Sequence, residues 1–342
     1  MKNFVFLFCF LFLLLFVPFF LFQKKLDTAR EREEFSIVQM NEVSRQLRIA
    51  EEEKKNKKMV ISLMFVGDVM LSRSVEKKIQ ENNDQKFPFL SVAERLTSAD
   101  IAIGNLEGPI SLRGKNQGSI YSFRANPKVI GGIQYAGLDL FSLANNHIFD
   151  WGRDALEDTM SILSNSNIHF AGVGRNYNEA NTPTVILKKG YKVGFLSFTN
   201  LYPRTLFATD DDLGISEYDE KKILEHVAEM RKENDVAVVL LHWGNEYEVN
   251  SNGNQKKFAR ELIDAGADIV VGHHPHVAQE IENYKNGIIA YSLGNFVFDQ
   301  NFSKETMSGL MLDVTCTEKH TCNAKPVTVL INSDFQPSFL EL

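Results

Sequence analysis

Eight short apolar runs, separated by stretches with helical spacing, constrain the fold of this 342-residue chain more than any other feature. Several are apolar without interruption, which is typical of strands covered on both faces. Between them, residues 153–164, 221–232 and 255–265 have the spacing of helices. Strands that alternate with helices predict a layered α/β domain. The runs are VISLMFVG (60–67), ADIAIGN (99–105), LDLFSLANN (138–146), IHFAGVG (168–174), KVGFLSFTN (192–200), VAVVLLHWG (236–244), ADIVVGHH (267–274) and IIAYSLGNF (288–296).

Polar side chains with the chemistry of metal ligands fall at the carboxyl ends of five of these runs. Ligand sites in open α/β sheets lie outside the carboxyl ends of the strands. A single coincidence would mean little, because an aspartate such as Asp68 often only caps a turn or a helix. Five in order along one chain predict a shared site. They are Asp68, the pair Asn105 and Glu107, the series Asn145 to His147, His242, and the series His273 to His276.

The histidine cluster is the most specific of these signals. His273, His274 and His276 put three imidazoles within four residues, and histidine is costly to bury and mutually repulsive when protonated. Carboxylate, amide and imidazole ligands together suit Mn, Zn or Fe better than Ca, and the lack of thiolates argues against a structural zinc site. The sequence therefore predicts a divalent transition-metal centre.

The amino-terminal end carries a separate signal. Residues 4–22 are nineteen residues without a charge, enough for a helix to span a hydrocarbon core of ~30 Å. A cleaved signal peptide is the alternative, but no small-residue cleavage site follows the run. We therefore predict an uncleaved membrane anchor at residues 1–25. Residues 26–58 lack glycine and proline and are rich in charge, which predicts a solvated helical stalk ahead of a domain at 59–342.

Charge and cysteines restrict the partners and the compartment. Residues 59–342 hold 26 basic against 36 acidic side chains, which argues against nucleic acid as a partner. Cys316 and Cys322 could close a small loop outside the reducing cytosol, or could be free thiols on a hairpin. The sequence also leaves open on which side of the membrane the domain lies. The lysines and arginines just after the apolar run outnumber Lys2, and this bias by itself favours a cytosolic domain.

Six motifs, in unbroken order between residues 59 and about 300, resemble the CapA/PgsA capsule biosynthesis proteins of bacteria, in the calcineurin-like metallophosphoesterase superfamily. The resemblance implies a four-layer α/β/β/α sandwich of the calcineurin-like metallophosphatase type, preceded in the chain by an N-terminal transmembrane helix and a helical stalk. It also implies an extracellular domain that makes, exports or anchors poly-γ-glutamate with other capsule synthesis membrane proteins. The motifs are GDVM (67–70), GNLE (104–107), ANNHIFDWG (144–152), HWGNEY (242–247), GHHPHV (272–277) and YSLGNFVFD (291–299).

The resemblance also implies a role for individual side chains. His147 would be the general acid, and Asp150 would orient it or would instead cap the following helix. The spare imidazole of His273 would meet the substrate. From its position five residues after Asp68, Arg73 could bind a substrate anion or be a surface arginine, and Arg124 is a weaker candidate of the same kind. The ligands of two divalent cations would be Asp68, Glu107 as the bridging carboxylate, Asn146, His242, His274 and His276.

Two departures from the superfamily pattern bear on this metal centre. Met70 stands where a histidine is common and Asn105 where an aspartate is common; methionine is a poor ligand for a hard cation. One hypothesis is a metal-dependent hydrolase that acts on a phosphoester or on an amide bond of an anionic polymer. The other is a non-catalytic subunit that uses the cations to bind polymer carboxylates, and a plain scaffold is a third.

Overall fold

The computed structural model describes residues 18–28, 30, 32, 35–48 and 60–340. The chain divides into two compact units, Met1–Lys58 and Met59–Leu342. In the first unit, 18–28 and 35–48 are helical, whereas residues 1–17 of the predicted anchor and 49–58 of the predicted stalk lie outside the described residues. Among the helices described, none has both the length and the apolar character needed to cross a membrane. The anchor therefore stays a prediction.

Sixteen strands are described in the larger unit. Their bounds are β1 (Ile61–Val69), β2 (Ile101–Leu106), β3 (Leu140–Ser142), β4 (His169–Ala171), β5 (Val173–Gly174), β6 (Thr184–Lys188), β7 (Tyr191–Thr199), β8 (Gly214–Ile215), β9 (Val236–His242), β10 (Ile269–His273), β11 (Ile281–Tyr284), β12 (Gly287–Ala290), β13 (Asn295–Val297), β14 (Ser308–Glu318), β15 (Thr321–Ile331) and β16 (Pro337–Leu340).

The strands form two large sheets and one small one. The first sheet has eight strands in the order β16-β15-β14-β1-β2-β3-β4, with β13 paired to β1. The second has six strands in the order β11-β12-β10-β9-β7-β6, and β5 pairs with β8 alone. Around the centre of each sheet the strands are parallel, so their carboxyl ends meet at one edge. Seven α-helices accompany them: α1 (Arg73–Asn82), α2 (Ala93–Thr97), α3 (Ile130–Ala136), α4 (Gly152–Asn165), α5 (Tyr177–Asn181), α6 (Glu220–Glu233) and α7 (Gly253–Ala265).

Side-chain alternation along the strands separates the core into three apolar layers. In β1, Leu63 and Phe65 pack between the two sheets, whereas Met64 and Val66 pack with residues of α1 to α4. The outer face of the second sheet packs with α6 and α7. Helices, sheet, sheet and helices therefore follow one another, and the predicted α/β class is confirmed.

Local sequence explains where the helices of the second face begin and end. The Asp219 side chain accepts a hydrogen bond from the backbone of Lys222 and caps α6. A capping box between Asn252 and Gln255 starts α7, and Gly266 in the left-handed region ends it. The buried apolar residues of both helices pack on the second sheet.

Two of the apolar runs each contain two strands rather than one. The run at 288–296 gives β12 in the second sheet and β13 in the first, because the chain crosses between the sheets at Gly294, which has a φ of 69°. The run at 168–174 divides into β4 and β5 at Gly172, where φ is 90° and an added Cβ would lie 2.7 Å from the Ala144 side chain. A run of apolar residues does not reveal such a change of sheet.

The carboxyl-terminal strands extend the first sheet with an antiparallel hairpin. Cys316 on β14 lies opposite Cys322 on β15, and the two form a disulfide with a Cα–Cα distance of 4.0 Å. The structure therefore has the closed loop and not the pair of free thiols.

Candidate metal centre

Neighbouring strands of the first sheet place three polar residues side by side. The register pairs Asp68 on β1 with Asn105 on β2 and with Asn295 on β13. An added Cβ at Gly67 would lie 1.9 Å from the carbonyl oxygen of Gly294, so only glycine permits this approach of β1 to the crossing segment. The backbone N–H of Asp68 donates to that carbonyl at 2.9 Å. Sheet pairing itself therefore builds the floor of the site.

Two carboxylates are buried on this floor, Asp68 at 0% and Glu107 at 2% exposure. Asp68 Oδ1 accepts a hydrogen bond from Asn105 Nδ2 at 2.8 Å, and its Oδ2 lies 3.2 Å from Nδ1 of His276. Burial raises the pKa of Asp68, but the hydrogen bond and charge of His276 outweigh it, and the pKa is lowered overall. Burial, with the charge of Asp68, holds the pKa of Glu107 well above its ordinary value.

Three histidines complete the site from β9 and the end of β10. Burial, reinforced by His274, holds the pKa of His242 well below its ordinary value, and burial with the charge of His276 lowers the pKa of His274 to about 3. Both are therefore neutral, which is the form that binds metals. Burial opposes the charged form of His276, yet Glu107 and Asp68 raise its pKa to about 9. A divalent cation held by these carboxylates would displace the proton from His276 and take over its charge, so that the ring could bind it in the neutral form.

The donor set fits divalent cations. Asp68, Glu107 and His242 offer ligand atoms within 4.8 Å of one another, and so do Glu246, His274 and His276. Glu107 Oε1 and His274 Nδ1 are buried without a hydrogen-bond partner, which is costly unless a ligand satisfies them. Carboxylate oxygens and neutral imidazoles are ligands that transition metals share.

Two further predicted residues lie beside these ligands. Asn146 Oδ1 is 2.7 Å from Nε2 of His242, and His147 Nε2 is 3.8 Å from Glu107 Oε1. The other ring nitrogen of His147 lies 2.8 Å from Asp150 Oδ2, which also accepts from the backbone of Phe123 at 2.8 Å. Asp150 therefore lies where it could orient the His147 ring. The helix-capping alternative for Asp150 is wrong, since α4 has Trp151 at its N-cap position and no side-chain cap.

The predicted substrate residues are placed differently. Arg73 Nη2 lies 3.1 Å from Asp299 Oδ1, and its guanidinium lies 5.4 Å from the centre of the Phe123 ring, which packs on His147. Arg124 lies over the Trp151 ring at 3.5 Å. The structure therefore places Arg73 at the rim of the site, already paired with a carboxylate. It shows no contact of the Arg124 side chain with the predicted metal ligands among the described residues.

His273, the third predicted substrate residue, is turned away from the other imidazoles. It is 1% exposed, and its Nε2 lies 3.2 Å from the carbonyl oxygen of Val66. On β10 it continues the alternation that puts Val271 between the sheets. His274 follows the last residue of β10 and has a φ of 100°, so the chain leaves the strand between these two imidazoles.

Asn295 and Glu246 belong to the site although the sequence predicted no role for them, and Asn105 was predicted to lie at the site without a role of its own. Asn105 binds Asp68, Asn295 Oδ1 lies 3.0 Å from His276 Nδ1, and Glu246 joins the second ligand group. The signal for Asn105 was its position at a strand end, two residues before Glu107. Asn295 gave no local signal, because its neighbour Asp68 is distant in sequence.

Solved structures share this fold. The 5'-nucleotidase precursor from Thermus thermophilus is 15% identical and superposes with a TM-score of 0.51, covering 82% of this chain and 56% of that one. A hypothetical protein from the same organism is 17% identical with a TM-score of 0.50, covering 78% of this chain and 98% of that one. At these identities the likeness shows the fold alone.

Relatives in sequence are closer. Capsule biosynthesis protein CapA of Bacillus anthracis is 31% identical over 300 residues, which cover 82% of this chain and 72% of that protein. PGA biosynthesis protein CapA of Bacillus subtilis (strain 168) is 33% identical over 74% of this chain and 67% of that protein. The model of one family, the bacterial capsule synthesis protein PGA_cap, matches residues 62–300. The resemblance read from the motifs is thereby confirmed, and the chain belongs to the PGA_cap family of bacterial capsule synthesis proteins.

Proposed function

We propose that this chain is a membrane-anchored protein of poly-γ-glutamate capsule synthesis whose domain hydrolyses a bond of an anionic substrate with two divalent cations. The observation that carries the proposal is the buried group of Asp68, Glu107 and His242, in which Glu107 Oε1 has no hydrogen-bond partner. Relatives with printed roles in capsule and PGA biosynthesis point to the process. Substrates to consider are phosphoesters and the amide bonds of a γ-linked glutamate polymer.

The chain's own residues divide the chemistry between them. Asp68, Glu107 and His242 would hold one cation, and His274 and His276 with Glu246 the other. When bound, such cations supply Lewis-acid activation of the scissile group. Proton transfer and the positioning of the ligands would fall to side chains around this centre.

Proton transfer falls to His147 in this proposal. In the imidazolium form, Nδ1–H of His147 would donate a hydrogen bond to Asp150, 2.8 Å away, and Nε2 would give its proton to the departing group, a contribution of about 10² to 10⁴ in rate. The charge of Asp150 stabilises the imidazolium form that donates. Asn105 fixes the carboxylate of Asp68 through its hydrogen bond, so the ligand does not have to reorient.

The location of the domain is part of the proposal. Residues 1–25 would anchor the chain in the membrane with the domain outside the cell, beside other capsule synthesis membrane proteins. The disulfide between Cys316 and Cys322 supports this side, because such bonds persist in oxidising compartments. Protease treatment of intact cells tests it: digestion of the domain is expected, and protection until lysis would reject the outward orientation.

A non-catalytic role is the second candidate. Residues 59–342 carry 26 basic against 36 acidic side chains, so unaided binding of a polyanion is unfavourable. Cations held by the site would then bridge protein and polymer carboxylates without hydrolysis.

Metal analysis of the full-length chain, purified in detergent without a chelating resin, is the first test. We expect near-stoichiometric metal in the wild type and in His169→Ala, which changes an exposed histidine of β4, and its loss in His242→Ala/His274→Ala. Metal-free, folded wild type would reject the metal centre. Turnover of phosphoesters or γ-glutamate polymer that His147→Ala abolishes with metal retained supports hydrolysis, whereas metal-dependent polymer binding without any turnover supports the second candidate.

A further inference from the structure

Arg153, near the start of α4, is an arginine that no described carboxylate neutralises. Its Nη2 donates to the carbonyl oxygen of Thr205 at 3.3 Å. Its Nη1 is buried and has no hydrogen-bond partner. The guanidinium also lies 5.7 Å from the centre of the Phe149 ring, a contact that favours a cation over the aromatic face. A buried donor without an acceptor is costly, so this group is suited to a ligand that supplies one.

The pocket that Arg153 lines reaches the edge of the metal centre at Asn146, whose Oδ1 lies 2.7 Å from Nε2 of His242. Its volume is about 490 Å³, and its walls include Asn146 and Asp150, both beside His147. Gln117 and Ser119 add neutral polar groups from a neighbouring loop. The Tyr202 hydroxyl accepts a hydrogen bond from the backbone of Phe149 at 3.1 Å and fixes the remaining wall. A molecule that reached the centre from this side would therefore pass Arg153.

The charges in this pocket favour an anion. Asp150 is the one carboxylate among the lining residues described, and its Oδ2 already lies against His147 Nδ1 and the backbone N–H of Phe123. Arg153 is the one cation among those described lining residues and has no such pairing. Arg73, by contrast, is neutralised by Asp299. A guanidinium presents a planar fork of donors that matches the two oxygens of a carboxylate or phosphate.

We propose that Arg153 and its pocket form the subsite that binds an oxyanion of the substrate next to the bond that reacts. This inference rests on the proposed function and adds the recognition of charge, which the metal ligands do not provide on this side. The oxyanion has two possible sources, a free carboxylate of a γ-linked glutamate chain or a phosphate group. Both would accept hydrogen bonds from the guanidinium, whose buried Nη1 would turn toward the pocket to reach them.

Equilibrium binding to the metal-loaded, full-length chain in detergent tests the subsite. The probes are a short γ-linked glutamate oligomer, the same oligomer with its free carboxylates converted to amides, and inorganic phosphate. The variants are Arg153→Gln, Arg153→Lys and the control Arg175→Gln, which removes a surface arginine paired with Glu179. Metal content is measured on each sample, so that a disturbed centre is recognised.

We expect Arg153→Gln to weaken binding of one anionic probe by about 10- to 100-fold, as for a lost charged hydrogen bond. Arg153→Lys should weaken it less, and Arg175→Gln should match the wild type. If the free-carboxylate oligomer is the affected probe and the amidated one is not, the source is a polymer carboxylate; if phosphate is affected, the source is a phosphate. Two results would overturn the inference. In one, Arg153→Gln binds both anions as tightly as the wild type does; in the other, the wild type binds neither anion.

Turnover on the same samples separates this inference from the proposed function. A wild type that hydrolyses nothing, yet loses anion binding in Arg153→Gln, would reject hydrolysis and keep the subsite. A variant with unchanged KM and unchanged anion binding would reject the subsite and keep the hydrolase.

Discussion

Replacing Asn105 with leucine should destabilise the larger unit by about 2 to 4 kcal/mol in the metal-free protein. Leucine keeps the number and branching of the side-chain heavy atoms, although its methyl groups are bulkier, and it removes the hydrogen bonds. Asp68 Oδ1 then loses its 2.8 Å donor in a fully buried position, at a cost of about 1.5 to 3 kcal/mol for a charged partner. Asn145 Nδ2 loses the oxygen of Asn105 but keeps the carbonyl of Leu106 at 2.8 Å, so its share is about 0.5 to 1 kcal/mol.

Urea unfolding of the full-length chain, followed by tryptophan fluorescence, measures this change. Both tryptophans of the chain, Trp151 and Trp243, lie in the larger unit, so the signal reports the unit that is perturbed. Asn323→Leu on the exposed face of β15 is the matched control and should stay within about 0.5 kcal/mol of the wild type. Metal affinity of Asn105→Leu should also fall, by about 10- to 100-fold, because Asp68 loses its support.

An Asn105→Leu variant with a free energy of unfolding within about 0.5 kcal/mol of the wild type would refute this reasoning. It would mean that Asp68 Oδ1 finds another donor without cost, and that the register of β1 and β2, rather than the hydrogen bond, positions the carboxylate.

Three further predictions concern the disulfide of the β14–β15 hairpin, the aspartate beside the proposed general acid, and the close approach of β1 to Gly294. Cys316→Ala/Cys322→Ala should lose about 2 kcal/mol, as for a loop closed at a sequence separation of 6, and reductant should shift the urea midpoint of the wild type alone. Asp150→Asn should lower kcat by about 10² to 10⁴ with metal content unchanged, and an unchanged kcat would exclude its positioning role. Gly67→Ala puts a Cβ 1.9 Å from the Gly294 carbonyl and should cost at least about 1 to 3 kcal/mol; a wild-type urea midpoint would contradict the close approach.

The position of the candidate ligands was predictable because they lie at or after the ends of parallel strands in both sheets. The runs that carry or precede four of these ligands end within two residues of the ends of their strands, and parallel strands within each sheet bring those ends to one edge. Asp68, Glu107, His242 and His274 needed no knowledge of register, only of where the runs stop. The α/β class followed from the same alternation.

Pairing across long sequence separation was not predictable. Asn295 adjoins Asp68 only because the chain changes sheet at Gly294, and the run at 288–296 reads as one strand. The direction of His273 depends on the residue at which β10 ends, which a run of apolar letters does not fix. Such features follow from tertiary contacts that no local pattern encodes.

The arginines show why the substrate side of the site is harder to predict than its metal side. A buried ligand is constrained by the strand that carries it, whereas the availability of a surface arginine depends on which carboxylate reaches it first. Asp299 lies far from Arg73 in sequence, and the ion pair between them, at 3.1 Å, already occupies the arginine that lies closest to a motif. Arg73 is therefore less available to a substrate anion. Arg153 follows the ANNHIFDWG motif directly but has the helical spacing of an ordinary solvent-facing residue. Arg153 is distinguished only by the pocket beside Asn146 and by the missing hydrogen-bond partner at Nη1. Recognition of charge in this site therefore depends on how the helix and loops around the pocket pack, and not on the order of the strands.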